Sequence, residues 1–320
     1  GKRSAKLLPT GAIERESLNI IAVFAIVAAL HIALFSVPAI ADDIPATIQQ
    51  PGDHSALWTE DGGLRDDEFV DFMCQMILEN GGEVKDVKFM SNACFGGGVL
   101  DDLQRAFGPG GACEGIPWVG GTASAHDESA WGWSDKVVTD HRAEHRGSIW
   151  TDAMAGTSME NTSTYYGVIH DGSETNNVLQ DLVNAGRNDA AGQHGFKKET
   201  PQVASGNNGD QITWNSPGAR HVAIIFGGDQ TNKRHHNNID NMNNALNNVW
   251  KDASKVITPI DGGTRDDLLD AIEVAAAKLD ENTQFVFYID DHGAQSHDVL
   301  EAADIPPELW PVRIEEPTTY

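Results

Sequence analysis

Three cysteines in 320 residues are too few for a disulfide scaffold, and the composition is neither collagen-like nor heptad-like. Basic residues are scarce beside acidic ones, with 22 Lys and Arg against 48 Asp and Glu and a formal net charge of −26. A surface of that sign repels phosphate backbones, which excludes nucleic acid as a partner. The acidic residues are scattered, not blocked into a tail, so they read as a solvated surface and no metal site is assigned to them. At 40% hydrophobic over this length, the chain can bury the core of one sizeable α/β domain; a second full domain would be a squeeze.

One long apolar run is present, at 18–41, behind Lys2, Arg3 and Lys6 and ending in Ala39-Ile40-Ala41 before Asp42-Asp43. That order predicts a secretory signal cleaved after Ala41 or, uncleaved, a membrane anchor through 18–41. Either places the remainder outside the cytoplasm. With an odd number of thiols, Cys74, Cys94 and Cys113, an exported chain leaves at least one unpaired. A Cys74–Cys113 disulfide and a pair of buried thiols are both open.

Residues 42–63 read as a linker, and 64–320 as a single domain with a cysteine half (64–170), a connection (171–215) and a histidine half (216–320). Apolar spacing predicts helices over 66–80, 149–159, 176–185, 238–255 and 265–279. Strands are expected at 87–90, 116–119, 164–170, 221–226, 256–259 and 284–289, with a polar, glycine-rich loop over 188–218. Strands alternating with helices imply a mostly parallel sheet, with chemistry gathered at the carboxyl ends of its strands.

Two strand ends carry candidate chemistry. The apolar strand through Ile289 opens into Asp290-Asp291-His292-Gly293, and an imidazole there can move protons near neutral pH. The strand through Met90 opens into Ser91-Asn92-Ala93-Cys94-Phe95 and Gly96-Gly97-Gly98, a thiol with an open backbone behind it. Two further strand ends carry Asn232-Lys233-Arg234-His235 and Thr122-Ala123-Ser124 followed by Glu128-Ser129-Ala130-Trp131.

Together these four segments resemble the legumain family of cysteine peptidases, whose motifs are Asp-His-Gly, Ala-Cys followed by glycine, Asn-x-Arg-His, and Thr-Ala-x with Glu-Ser-Ser-Tyr. The resemblance covers about 160 residues, in swapped order: the cysteine half precedes the histidine half, as in a circular permutation. It implies a three-layer, caspase-like α/β sandwich. It further implies a Cys94 nucleophile and a His292 proton carrier, with N–H groups of Gly293 and Cys94 at the oxyanion and Asn232 orienting His292. Arg234 and His235, with Asn92, Glu128, Ser129 and Ala130, would form the pocket for the substrate residue before the cut. No metal or organic cofactor is implied, and the partner is a peptide or protein substrate. Asn92 stands where legumain has an acid and Ala130 where it has a serine, so the pocket is expected to lose negative charge and to accept aspartate at least as well as asparagine. A catalytically silent caspase-like binding module and a peptide transamidase are the rival readings.

Overall fold

The computed structural model describes residues 54–126, 128–130, 147–157, 165–169, 177–192, 200–229 and 232–296. The expected signal or anchor at 18–41 lies outside them, and among them no helix is long and apolar enough to cross a membrane.

The sheet is organised around β10 (Thr283–Asp290), whose eight residues are all buried. A strand covered on both faces reads as a continuous apolar run, which is why Phe285 to Ile289 shows no polar alternation. β10 pairs in parallel with β3 (Asp86–Ser91) on one side and β8 (Arg220–Gly227) on the other. Outside these lie β4 (Trp118–Thr122) and β9 (Val256–Asp261), also parallel, and antiparallel β7 (Gln202–Gly206) closes the β4 edge. The spatial order is β7-β4-β3-β10-β8-β9.

Helices cover both faces. Phe285, Phe287 and Ile289 pack with residues of α1 (Asp66–Glu79), α2 (Gly97–Phe107) and α6 (Arg265–Ala276). Val286 and Tyr288 pack with α3 (Ile149–Ala155), α4 (Val178–Gly192) and α5 (Lys233–Val249). The fold class is therefore α/β, a mixed six-stranded sheet between two helical layers.

Several boundaries differ from the sequence expectation, each for a local reason. Residues 54–63 are not linker: β1 (His54–Thr59) and β2 (Gly62–Arg65) form a hairpin around the turn at Asp61, and β1 also pairs antiparallel with β11 (Gly293–Ser296). The connection 188–218 contains β7 and the end of α4, because an edge strand carrying Ser205 and Gly206 shows little apolar signal. α3 stops at Ala155, where Gly156 turns to φ 77° and enters β5 (Gly156–Thr157), paired with β6 (Tyr165–Tyr166). α5 begins five residues before position 238, since Asn232 Oδ1 accepts the Arg234 N–H at 3.0 Å and caps a first turn without apolar spacing. α2 was hidden by its opening glycines, whose helix propensity is poor. Gly98 is required there, because a Cβ would lie 2.2 Å from Ser55 Oγ.

Cys74 and Cys113 are joined, Cα atoms 5.7 Å apart, across a sequence separation of 39. Loop closure of that length is worth up to about 4 kcal/mol. The bond ties α1 to the segment after α2, and Cys94 is left free.

Beneath the cysteine loop, burial raises Asp66 to about 6 and Asp102 to about 8, the latter helped by the neighbouring Asp66 charge. Asp66 Oδ2 accepts the Ser55 N–H at 2.9 Å and Asp102 Oδ1 accepts from Arg105 Nε at 3.2 Å. Both folded-state values lie above the unfolded carboxylate value, so the native state holds more protons than the unfolded chain between about pH 4 and 8. Stability contributed by the pair therefore falls as pH rises through that window. Asp102→Asn removes the penalty. At pH 8 it should stabilise the protein by about 1–3 kcal/mol, and the gain should vanish near pH 4. Thermal melts across this range check it, and a gain that does not shrink in acid refutes it.

Candidate active site

Cys94 follows β3, and His292 follows the adjacent parallel strand β10, so both exit loops leave the same end of the sheet. The loops touch. A Cβ added at Gly293 would sit 1.8 Å from the Cys94 carbonyl oxygen, a contact only glycine permits. The backbone around Cys94 is a tight turn in which Phe95 holds φ 59°, an uncommon conformation for a bulky side chain. Its surroundings enforce that turn: Ser55 Oγ donates to the Phe95 carbonyl at 2.8 Å, and the Phe95 N–H donates to the Glu128 carbonyl at 2.7 Å.

The N–H groups of this region are almost all committed. Ala93 N donates to Ser91 Oγ at 3.2 Å and Gly96 N to the Ala93 carbonyl at 3.2 Å. The Cys94 N–H has no partner among the described residues. On the facing loop, Trp58 N donates to the His292 carbonyl at 3.1 Å. That bond makes Leu57 and Gly293 a non-hydrogen-bonded pair of the β1–β11 ladder, so the Gly293 N–H points away from β1. The Gly293 N–H is thus unused by the β1–β11 ladder, on a loop that touches the Cys94 backbone.

The His292 side chain is 55% exposed, and its Nε2 lies 3.4 Å from Asp229 Oδ2. Partial burial lowers its pKa, as do the neighbouring His235 and Arg234, while Asp229 opposes them. Its ring meets that of His235 edge-on, centroids 5.1 Å apart. The Oδ1 of Asn232, a residue expected to orient His292, caps α5. Asp229 is the carboxylate beside the imidazole.

Behind this pair lies a buried polar cluster. Asp290 Oδ2 accepts from His235 Nδ1 at 2.9 Å. Its Oδ1 accepts from Asn92 Nδ2 at 2.7 Å and Asn238 Nδ2 at 2.8 Å. Both amides also donate to Ser148 Oγ, at 2.6 and 2.9 Å. Asn92 is therefore built into the floor of the site, not its wall, and its Oδ1 is buried without a partner among the described residues. The Arg234 Nε is likewise buried and unpartnered among them, while Arg234 Nη2 approaches His235 Nε2 at 3.4 Å.

The loop at Glu128-Ser129-Ala130 lies over the cysteine: Cys94 Sγ is 3.8 Å from the Ala130 carbonyl. The Glu128 carboxylate is used structurally, accepting the Thr200 N–H at 2.7 Å and its hydroxyl at 3.0 Å. Sequence reasoning missed roles for Asp229, Asp290, Asn238 and Ser55. Asp290 had a visible signal, an acid ending a fully apolar strand; Ser55 lay in the supposed linker and had none. Burial pushes the Asp291 carboxyl well above the ordinary range, and its Oδ1 accepts the His292 N–H at 2.5 Å, which steadies the histidine loop.

In comparisons with protein-family models, curated proteins and solved structures nothing matches this chain, so the likeness to legumain rests on the four motifs themselves.

Proposed function

We propose that the chain is a secreted or membrane-anchored cysteine endopeptidase with a Cys94–His292 pair, legumain-like, cleaving after asparagine or aspartate. The observation that carries the reading is the contact of the two loops: residues 198 positions apart (292 − 94) leave adjacent parallel strands with the Gly293 backbone against that of Cys94. The sheet order supports a permuted caspase-like arrangement. Counted from β8 through the chain end and back to β3, β4 and β7, the strands lie in the order second, first, third, fourth, fifth, sixth. That is a simple doubly wound progression; counted from β3, the histidine strand β10 is inserted late between β3 and β8.

In the reaction, Cys94 Sγ bonds to the scissile carbonyl carbon as His292 takes the thiol proton. With Nε2 turned to Asp229, Nδ1 is the ring nitrogen left to serve the thiol. The oxyanion rests on the Cys94 and Gly293 N–H groups. Collapse breaks the C–N bond as His292 protonates the departing amine, and water then hydrolyses the thioester.

Asp290 shifts the pocket reading. Since its oxygens also accept two amide N–H groups, His235 Nδ1 is the donor to it, and His235 Nε2 presents a lone pair. A pocket with one donor, Arg234, and one acceptor, Nε2, complements both ends of an asparagine amide, so asparagine is favoured over aspartate. Arg234→Ala should lower kcat/KM on an asparaginyl peptide about 10- to 100-fold. A library profile preferring arginine or lysine would overturn the pocket while sparing the Cys94 assignment.

The testing experiment is labelling with an asparaginyl peptide electrophile directed at thiols. Mass-mapped modification of Cys94 alone, lost in His292→Ala, is the expected result. An unreactive Cys94 in the folded protein would favour the silent binding module.

A further inference from the structure

The side chains around the proposed catalytic histidine also form a set of metal-ligand atoms, a capacity the peptidase reading does not require. Asp229, His235 and His292 each offer a donor atom, and these atoms all lie within 4.8 Å of one another. We propose that they form a zinc-binding site, two imidazoles and a carboxylate, whose occupation silences the peptidase.

The ligand chemistry is specific. A set of two imidazole nitrogens and one carboxylate suits a borderline ion such as Zn²⁺, whereas Mg²⁺ and Ca²⁺ take oxygen shells. His235 is already arranged as a ligand: it donates Nδ1–H to the buried Asp290 carboxylate at 2.9 Å, which leaves the lone pair on Nε2. A histidine backed by a carboxylate has its tautomer and ring orientation fixed and its basicity raised, the usual support of a zinc histidine.

The geometry needs little change. Tetrahedral zinc at ~2.0 Å separates its ligand atoms by about 3.3 Å. The His292–Asp229 edge is 3.4 Å. From the 4.8 Å limit, the other edges need at most about 1.5 Å of closure. His292, with its side chain 55% exposed, is free to rotate by that much. Three protein ligands leave one position for water. Arg234 opposes the ion, since its Nη2 stands 3.4 Å from His235 Nε2. That single contact is long, and Arg234 Nε has no partner among the described residues, so little holds the guanidinium in place when zinc enters.

The binding claim stands on these three side chains alone; its inhibitory consequence rests on the peptidase reading. Zinc on His292 removes the proton acceptor, and on His235 Nε2 it occupies the acceptor assigned to the asparagine amide, so inhibition should be competitive with substrate.

The test is direct titration of the chelator-stripped full chain with ZnCl2 against a chromophoric zinc chelator, with Co²⁺ spectra as a second readout. One zinc per chain is expected. Asp229→Ala and His292→Ala, both at the solvent-facing side of the site, should each weaken binding at least about tenfold, and Cys94→Ala should keep it within a few-fold. Unchanged circular dichroism shows that the variants are folded. Binding that survives both ligand substitutions, or that vanishes in Cys94→Ala, overturns the site. Zinc binding with the expected losses in a protein devoid of peptidase activity upholds the site and sinks the peptidase reading; peptidase activity without zinc binding does the reverse.

Discussion

Cys94→Ala should lower cleavage of an asparaginyl peptide by about 10⁴-fold or more, and His292→Ala should do nearly as much. The two side chains serve one step, so the double substitution should cost little beyond either single one. Neither change threatens the fold. Cys94 is half-buried on a turn held by Ser55 and Glu128 through backbone atoms, and the His292 side chain is mostly exposed. Steady-state rates on folded variants decide the matter. Turnover within tenfold of the parent for either variant sinks the Cys94–His292 assignment, and strictly additive losses would show that the residues act separately.

The elements that position this site were legible where one physical signal dominated. β10, β8 and β3 are buried on both faces, so their apolar runs named them and their exit loops together. The thiol and imidazole proposed to react each follow such a strand. What stayed hidden depends on contacts between distant segments. The β1 strand carries Leu57 and Trp58 beside polar neighbours, and its identity comes from pairing with β11, more than 230 residues later. The polar first turn of α5 lacks helical periodicity and is set by the Asn232 cap. The same cap turns the Oδ1 of the asparagine in the Asn-Lys-Arg-His motif toward its own helix. The partner of Asn92 was hidden for a similar reason: it is Asp290, 198 residues away and reached through a 2.7 Å hydrogen bond.

Asp290 should therefore be the most sensitive position outside the reacting pair. Asp290→Ala strips His235 Nδ1–H of its acceptor and removes one of two acceptors from each of the Asn92 and Asn238 amides. In a fully buried cluster, orphaned donors and a small cavity together cost about 3–5 kcal/mol. Chemical denaturation should show a loss of that size. Asp290→Asn separates stability from chemistry. It fills the same volume and keeps an acceptor for the two amides, but presents an N–H toward His235. The imidazole must then exchange tautomers, accepting at Nδ1 and donating from Nε2. With the acceptor of the pocket turned into a donor, preference should move from asparagine toward aspartate, and zinc affinity should fall about 10- to 100-fold. Selectivity profiles and zinc titration of this one variant read both changes. Unaltered selectivity in a folded Asp290→Asn protein would mean that His235 does not contact the substrate, and Arg234 alone would then define the pocket.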